Sequence, residues 1–275
     1  KRAEQLETAG VVPRGIAERV ADDLATVDAR LTGGVSAQDV AAHPAEALAR
    51  LQADLAAFRS DHDLDRVVVV NVASTEPPVE PHDSHSDVDV LLAALDADQP
   101  VLSPAPLMAV AALTSGAAFV DFTPSSATVM LKTALAPMFA DRALKVRSWS
   151  GMNLLGGGDG QTLADPVHAR SKLESKAAPL QAILGYQPDG PVRIDHVADL
   201  GDWKTAWDLI TFEGFLGTRM QLQFTWQGCD SALAAPLVLD LARLVALAMA
   251  AGESGPLSAL AYFFKDPVGS SQHRL

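Results

Sequence analysis

Hydrophobic and polar positions along the chain change period twice. Residues 15–31 and 44–60 carry apolar residues at helical spacing, and Pro44 sits where a first helical turn accepts it. Arg66 to Val72 (R-V-V-V-V-N-V) is a short, continuous, β-branched run, the pattern of a strand buried on both faces of a parallel sheet. It ends at Ala73-Ser74-Thr75, the carboxyl end, where such sheets hold ligands. An ordinary strand-to-loop exit has the same pattern. Helices are predicted near 86–97 and 104–115, then a strand at 118–122 ending in Thr123-Pro124-Ser125. Strand, helix, helix, strand at this spacing predicts an α/β, Rossmann-like unit.

The second half reads differently. Lys145 to Trp149 is strand-like, and Val192 to Val197 and Met220 to Trp226 alternate. In the last, Met220, Leu222, Phe224 and Trp226 face one way and Gln221, Gln223 and Thr225 the other. Such strands predict a sheet with one face on a core and a more polar second face, suited to an oligomer interface. Between them, Asp202 is predicted to cap a short helix whose second residue is Lys204, an arrangement that would bind an anion, with an ordinary exposed lysine as the alternative. Asp230 opens a long helix closed by Gly252. Its stretch from Ala232 to Ala251 is apolar enough for a membrane span, but Asp240 and Arg243 sit mid-run, so a buried core helix is expected.

The 275 residues, 48% of them hydrophobic, are enough for two domains. Lys and Arg number 21 and Asp and Glu 34, so the net charge is −13. That argues against nucleic acid or an anionic membrane as the main partner, and it means an anionic substrate needs a locally basic pocket. The single cysteine, Cys229, excludes an intrachain disulfide. It fits a reducing cytoplasm, the expected location, and the start of the chain shows no signal-peptide pattern.

The chemistry gathers between Ser148 and Lys176. A loop with four glycines in five residues, Gly156 to Gly160, lets a backbone approach a ligand. It leads through Pro166 into a helix carrying Lys172 and Lys176, four residues apart and so on one face. Two such lysines are most often a solvated face. Lysine usage argues otherwise: the chain has 7 Lys against 14 Arg, and none lies between Lys1 and Lys132. A lysine can lose its proton and return it, whereas an arginine in effect cannot. Lys265, directly after Tyr262-Phe263-Phe264, is not expected to be a free surface lysine. His82, Asp83, His85 and Asp87 lie close enough to suggest a metal, but their spacing matches no standard ligand set, and a solvated loop is the default.

Several segments together resemble the myo-inositol 1-phosphate synthase (inositol-3-phosphate synthase) family in its bacterial form. They are V-A-S-T-E (72–76), L-A-P-M-F (135–139), S-G-M-N-L-L-G-G-G-D-G (150–160), L-A-D-P (163–166) and S-K-L-E-S-K (171–176). L-G-D-W-K-T-A-W-D (200–208), E-G-F-L-G-T-R-M (213–220), C-D-S-A-L-A-A-P-L-V-L-D-L (229–241) and F-F-K-D-P (263–267) complete the match. The resemblance implies a Rossmann-like NAD-binding domain over 1–129, an α+β catalytic and tetramerisation domain with a largely open sheet over 130–227, and a return to the first domain over 228–275.

It also implies an isomerase that uses NAD catalytically to convert glucose 6-phosphate into a myo-inositol monophosphate. The steps are oxidation at C5, enolisation, aldol closure and re-reduction. Lys172 would act at the C5 oxygen, Lys176 and Lys204 would hold the phosphate, and Lys265 would approach the reacting carbons. Asn153 and Asp159 would position sugar hydroxyls or a lysine, and Asp202 would orient Lys204. Ser74, Thr75 and Thr123 would touch NAD. Asp230 and Ser231 would lie by the nicotinamide, with Asp230 a candidate for holding a cation. Some members need a divalent cation or ammonium, and members are usually homotetramers. A non-catalytic oligomeric relative that binds NAD or a sugar phosphate, or a cyclase for another hexose phosphate, is the alternative. The chain departs from the family in lacking the G-x-G-x-x-G turn and in joining the strand at 118–122 almost directly to a helix near 130–139. The expectation is that an N-terminal piece and an internal piece near Val129–Met130 stand outside these residues.

Overall fold

The computed structural model describes residues 2–122, 127–264 and 267–269; the side chains at 127–130, 171 and 174–178 lie outside the description. In chain order the elements are α1 (Arg2–Thr8), α2 (Ile16–Arg19), α3 (Ala21–Asp28), α4 (Ala37–Ala42), α5 (Pro44–Asp61), β1 (Val68–Asn71), α6 (Val88–Asp96), α7 (Pro104–Thr114) and β2 (Ala118–Asp121). There follow α8 (Ala127–Asp141), β3 (Lys145–Leu155), α9 (Gly158–Thr162), α10 (Pro166–Leu184), β4 (Val192–His196), β5 (Lys204–Glu213), β6 (Arg219–Gly228) and α11 (Asp230–Ala250). They form two compact units, one of residues 20–121 and 240–254, the other of 1–19, 122–239 and 255–275. The fold is mixed α/β with open sheets.

In the first unit β1 and β2 pair in parallel from Val68↔Ala118 to Asn71↔Asp121, with α6 and α7 as the crossover. The helices start where their sequences say they should. Ser36 and Asp39 make a reciprocal capping box on α4, Pro44 opens α5 and Asp87 caps α6. Val40, Leu48, Leu51, Leu95 and Leu107 form the core between them.

In the second unit the sheet order is β4-β3-β5-β6. β3 runs parallel to β4 and antiparallel to β5, and β6 is antiparallel to β5. Phe139 of α8 and Leu180 and Ile183 of α10 pack on Val146, Trp149 and Ile210 of one sheet face. The opposite face is more open and carries Met152, Trp207 and the β6 glutamines.

Three expectations are corrected. The helical stretch 15–31 breaks at Val20 into α2 and α3. Lys204 does not sit in a short helix: only a 3₁₀ turn spans Ala198–Leu200, and Lys204 opens β5. The alternation there was hidden because two of its inward members, Lys204 and Asp208, are charged. Finally, α11 is not a buried core helix. Only Leu241 and Val245 are buried on it, while Asp240 and Arg243 make an exposed pair at 3.4 Å. It is long and apolar enough to cross a membrane, but that pair lies mid-helix, a costly position in hydrocarbon.

Candidate active site

The site is built at one end of the β3–β5 ladder. The register places Leu155 opposite Lys204, Asn153 opposite Ala206, Gly151 opposite Asp208 and Trp149 opposite Ile210. β3 runs on past Trp149 to Leu155, so the N-L-L segment is strand and not loop. The glycines after it permit two close approaches. A Cβ on Gly156 would lie 2.4 Å from the Gly201 nitrogen, and one on Gly160 would lie 2.7 Å from the Leu155 Cβ. Gly156 therefore seats the elbow against the turn that leads into Lys204, and Gly160 folds it back on the end of β3.

Two lysines are fixed around this elbow. Lys172, from α10, is buried, and its Nζ donates to Asp159 Oδ2 at 2.6 Å. Asp165 caps α10 and Pro166 opens it, which sets the helix phase that brings Lys172 to the elbow. Lys204 is also buried, and its Nζ donates to Asp230 Oδ2, also at 2.6 Å, at the first residue of α11. Asn153 donates from Nδ2 to the Arg193 carbonyl at 3.3 Å, while its buried Oδ1 has no partner among the described residues.

Such an arrangement can bind and discharge anionic oxygen. Each ammonium has three donors and spends at least one on a carboxylate. A phosphate or a developing oxyanion can take that place, and the carboxylate can hold the proton meanwhile.

The other sequence candidates fall out as follows. Asp202 pairs with Arg2, and the carboxylate on Lys204 is that of Asp230. Ser231 is exposed on the first turn of α11. Ser74 is exposed and Thr75 buried just past the carboxyl end of β1, in the other unit. Thr123, Lys265 and the Lys176 side chain lie outside the described residues. The loop candidates for a metal are engaged locally. His82 Nδ1 meets Ser84 Oγ at 2.8 Å, His85 Nε2 meets the Val101 carbonyl at 2.8 Å, and Asp87 caps α6. Among the described residues no group of three or more His, Cys, Asp or Glu is placed to hold a metal ion.

Sequence reasoning overlooked Lys132, Asp208 and Trp149. All three are buried, Trp149 Nε1 donates to Asp208 Oδ1 at 2.8 Å, and the Lys132 Nζ lies 6.0 Å from the Trp149 ring centroid. Burial pushes the Lys132 ammonium down to about 8, against the pull of the Asp208 charge. The scarcity of lysine that singled out Lys172 applied equally to Lys132.

Residues 127–231 match the family model for myo-inositol-1-phosphate synthase. An inositol-3-phosphate synthase 1 from Bacteroides thetaiotaomicron is 32% identical over 263 residues, 83% of this chain and 61% of that protein. The chain belongs to the myo-inositol-1-phosphate synthase family. The human inositol-3-phosphate synthase 1 is 30% identical over 82% of this chain and 48% of its own length. A crystal structure of inositol-3-phosphate synthase from Caenorhabditis elegans superposes with a TM-score of 0.67 at 26% identity, covering 73% of this chain and 46% of that one. A myo-inositol-1-phosphate synthase-related protein from Thermotoga maritima shares the fold, with a TM-score of 0.66 at 23% identity over 82% of this chain and 66% of that one. The chain thus spans about half to three fifths of the length of these curated synthases. The stretch matched by the family model contains Asn153, Asp159, Lys172, Lys176, Asp202, Lys204, Asp230 and Ser231.

Proposed function

We propose that the protein is an NAD-dependent isomerase that converts D-glucose 6-phosphate into 1L-myo-inositol 1-phosphate. The observation that carries this reading is the pair of buried ammonium groups, each on a carboxylate at 2.6 Å, at the same end of the β3–β5 ladder. A binding protein needs cations for the phosphate alone. A second buried lysine with its own carboxylate suits a reaction that repeatedly moves protons on and off oxygen.

In this reading Lys172 serves the C5 oxygen, giving up and taking back a proton that Asp159 helps to hold. Lys204 and Lys176 bind the phosphate, and Lys265 approaches the reacting carbons. Asn153 orients a sugar hydroxyl through its buried Oδ1. The chemistry that bound NAD supplies is removal of hydride from C5 and its return. Thr75, buried immediately past the carboxyl end of β1, and Ser74 beside it fit the ribose end of such a dinucleotide by position and by their hydroxyls. Thr123 is proposed with them from its place after β2. The glycine-rich phosphate turn is not among the 275 residues. Assembly as a homotetramer is proposed through the open sheet face, where Met152 and Trp207 are cross-strand partners.

The test is phosphorus and proton NMR of the protein with glucose 6-phosphate and a trace of NAD⁺. Growth of an inositol phosphate signal without net NADH supports the reading. Persistence of glucose 6-phosphate while NAD binds would favour a non-catalytic relative or a cyclase for another hexose phosphate.

A further inference from the structure

Two buried charged residues, Lys132 and Asp208, are unused by the proposed chemistry. On the sheet face that α8 and α10 cover, inward positions run Lys204, Ala206, Asp208 along β5 and Leu155, Asn153, Gly151, Trp149 along β3. Read across the two strands, Lys204, Asn153 and Asp208 form a polar row leading from the site into the core, and Lys132 of α8 closes it over Trp149. Asn153 and Asp208 are each 2% exposed and Lys132 and Lys204 each 5%. Stability does not explain such a row, because a buried ion pair is commonly no better than the apolar residues that could replace it.

The row is also unsaturated. Asp208 Oδ1 takes the Trp149 indole N–H, but its Oδ2 is buried without a partner among the described residues, as is Asn153 Oδ1 one register nearer the site. Opposite Asp208 stands Gly151, where a Cβ would come within 3.2 Å of Asp208 Oδ1. Two acceptors left open among buried groups are poorly screened, so charge at either end is felt along the row.

We propose that Lys132 and Asp208 are positioning residues of the active site: a buried cation and carboxylate that fix the charge at the inner end of the row and are electrostatically coupled to the anion bound at Lys204. They act on that anion through the row, not by touching it. The proposal rests on the reading of Lys204 as a phosphate-binding residue. Among the described side chains, the charged groups on the inner face of β5 are Asp208 and Lys204, and on α10 Lys172 is the buried one while Arg170 is exposed and His168 half-buried; the inner face of β3 contributes none. Among the described residues only Asp208 has a resolved charge effect on Lys132.

The experiment is a titration of ¹³C-lysine-labelled protein with and without inorganic phosphate, the Lys132 resonance being assigned by its loss in Lys132→Arg. Four residues of strand, about 13 Å, separate Lys204 from Asp208. A unit negative charge about that far from Lys132, at an effective dielectric constant of about 20, should raise its midpoint by up to about one pH unit. The rise should vanish in Lys204→Met. Asp208→Asn should lower the midpoint in the absence of phosphate. A midpoint that no phosphate concentration moves overturns the proposal, and once the resonance is assigned that measurement is made on the native chain alone. If the midpoint moves but glucose 6-phosphate is not turned over, the coupling stands and the functional reading falls. If inositol phosphate forms while the midpoint stays still, the reverse holds.

Discussion

Gly156 and Gly201 meet backbone to backbone: a Cβ on the first would lie 2.4 Å from the nitrogen of the second and 2.6 Å from its oxygen. Neither atom can swing aside as a side chain can. Gly156→Ala is therefore expected to destabilise the fold by roughly 1–3 kcal/mol and to weaken phosphate binding. Gly158→Ala is the control, because a Cβ there meets nothing within 4 Å. It should be neutral or slightly stabilising. Urea unfolding of the two variants, with phosphate titrations, checks the contrast. Equal costs would mean that the close approach does not position the elbow.

Lys172→Ala should abolish turnover, with a fall of about 10²- to 10⁴-fold or more, while the protein still folds and binds NAD. Its partner Asp159 is 40% exposed in its side chain, so the carboxylate left behind stays hydrated and the loss of stability should be small. Rate measurements beside thermal unfolding separate the two effects. Near-normal turnover would remove Lys172 from the chemistry.

Lys132 gives a prediction about stability and pH. Its folded-state value is about 8, against an ordinary 10.5. Between those values the unfolded chain holds a proton that the folded protein does not, so unfolding becomes harder as pH rises from about 8 to 10.5. The gain at the top of that window is about 3 kcal/mol. The double variant Lys132→Met/Asp208→Asn should lose this rise, and the difference between its urea midpoints and those of the native chain should grow across the window. A constant difference would show that Lys132 is not buried in a charged form at neutral pH.

Leu216 stands at the β5–β6 hairpin tip with φ of 56°, and it is 87% exposed. A leucine in that left-handed conformation is strained and buries almost nothing. Leu216→Gly should raise stability by about 1 kcal/mol in urea unfolding. A loss of stability would mean that the side chain is covered by something in solution, such as another subunit.

The α/β succession was legible, and so were the starts of α5 and α10, because local chemistry sets them: Pro44 and Pro166 sit where their helices begin. Spacing and the rarity of lysine singled out Lys172, and the structure buries it on Asp159. Lys204 was singled out on a local pattern that the structure does not have, a short helix in place of the start of β5. Its strand was obscured because Asp208, and Lys204 itself, occupy positions where an apolar residue marks the inward face. Partner choice was not legible at all. That Asp230 and not Asp202 holds Lys204 depends on how the start of α11 meets the start of β5, a relation between segments 26 residues apart. Lys132 and Asp208 were missed for the same reason: nothing local says that a helix lysine will lie over a strand tryptophan.

The ion pairs of Lys172 and Lys204 have a consequence for selectivity. Each ammonium is already neutralised by a carboxylate of the same chain, so an incoming anion exchanges with an internal counterion and displaces few salt ions from solution. Affinity should then respond weakly to ionic strength, although the whole molecule carries a charge of −13. Discrimination would come instead from how well the visitor's oxygens replace those of Asp159 and Asp230. That rewards an anion with several acceptors in fixed geometry over any simple halide.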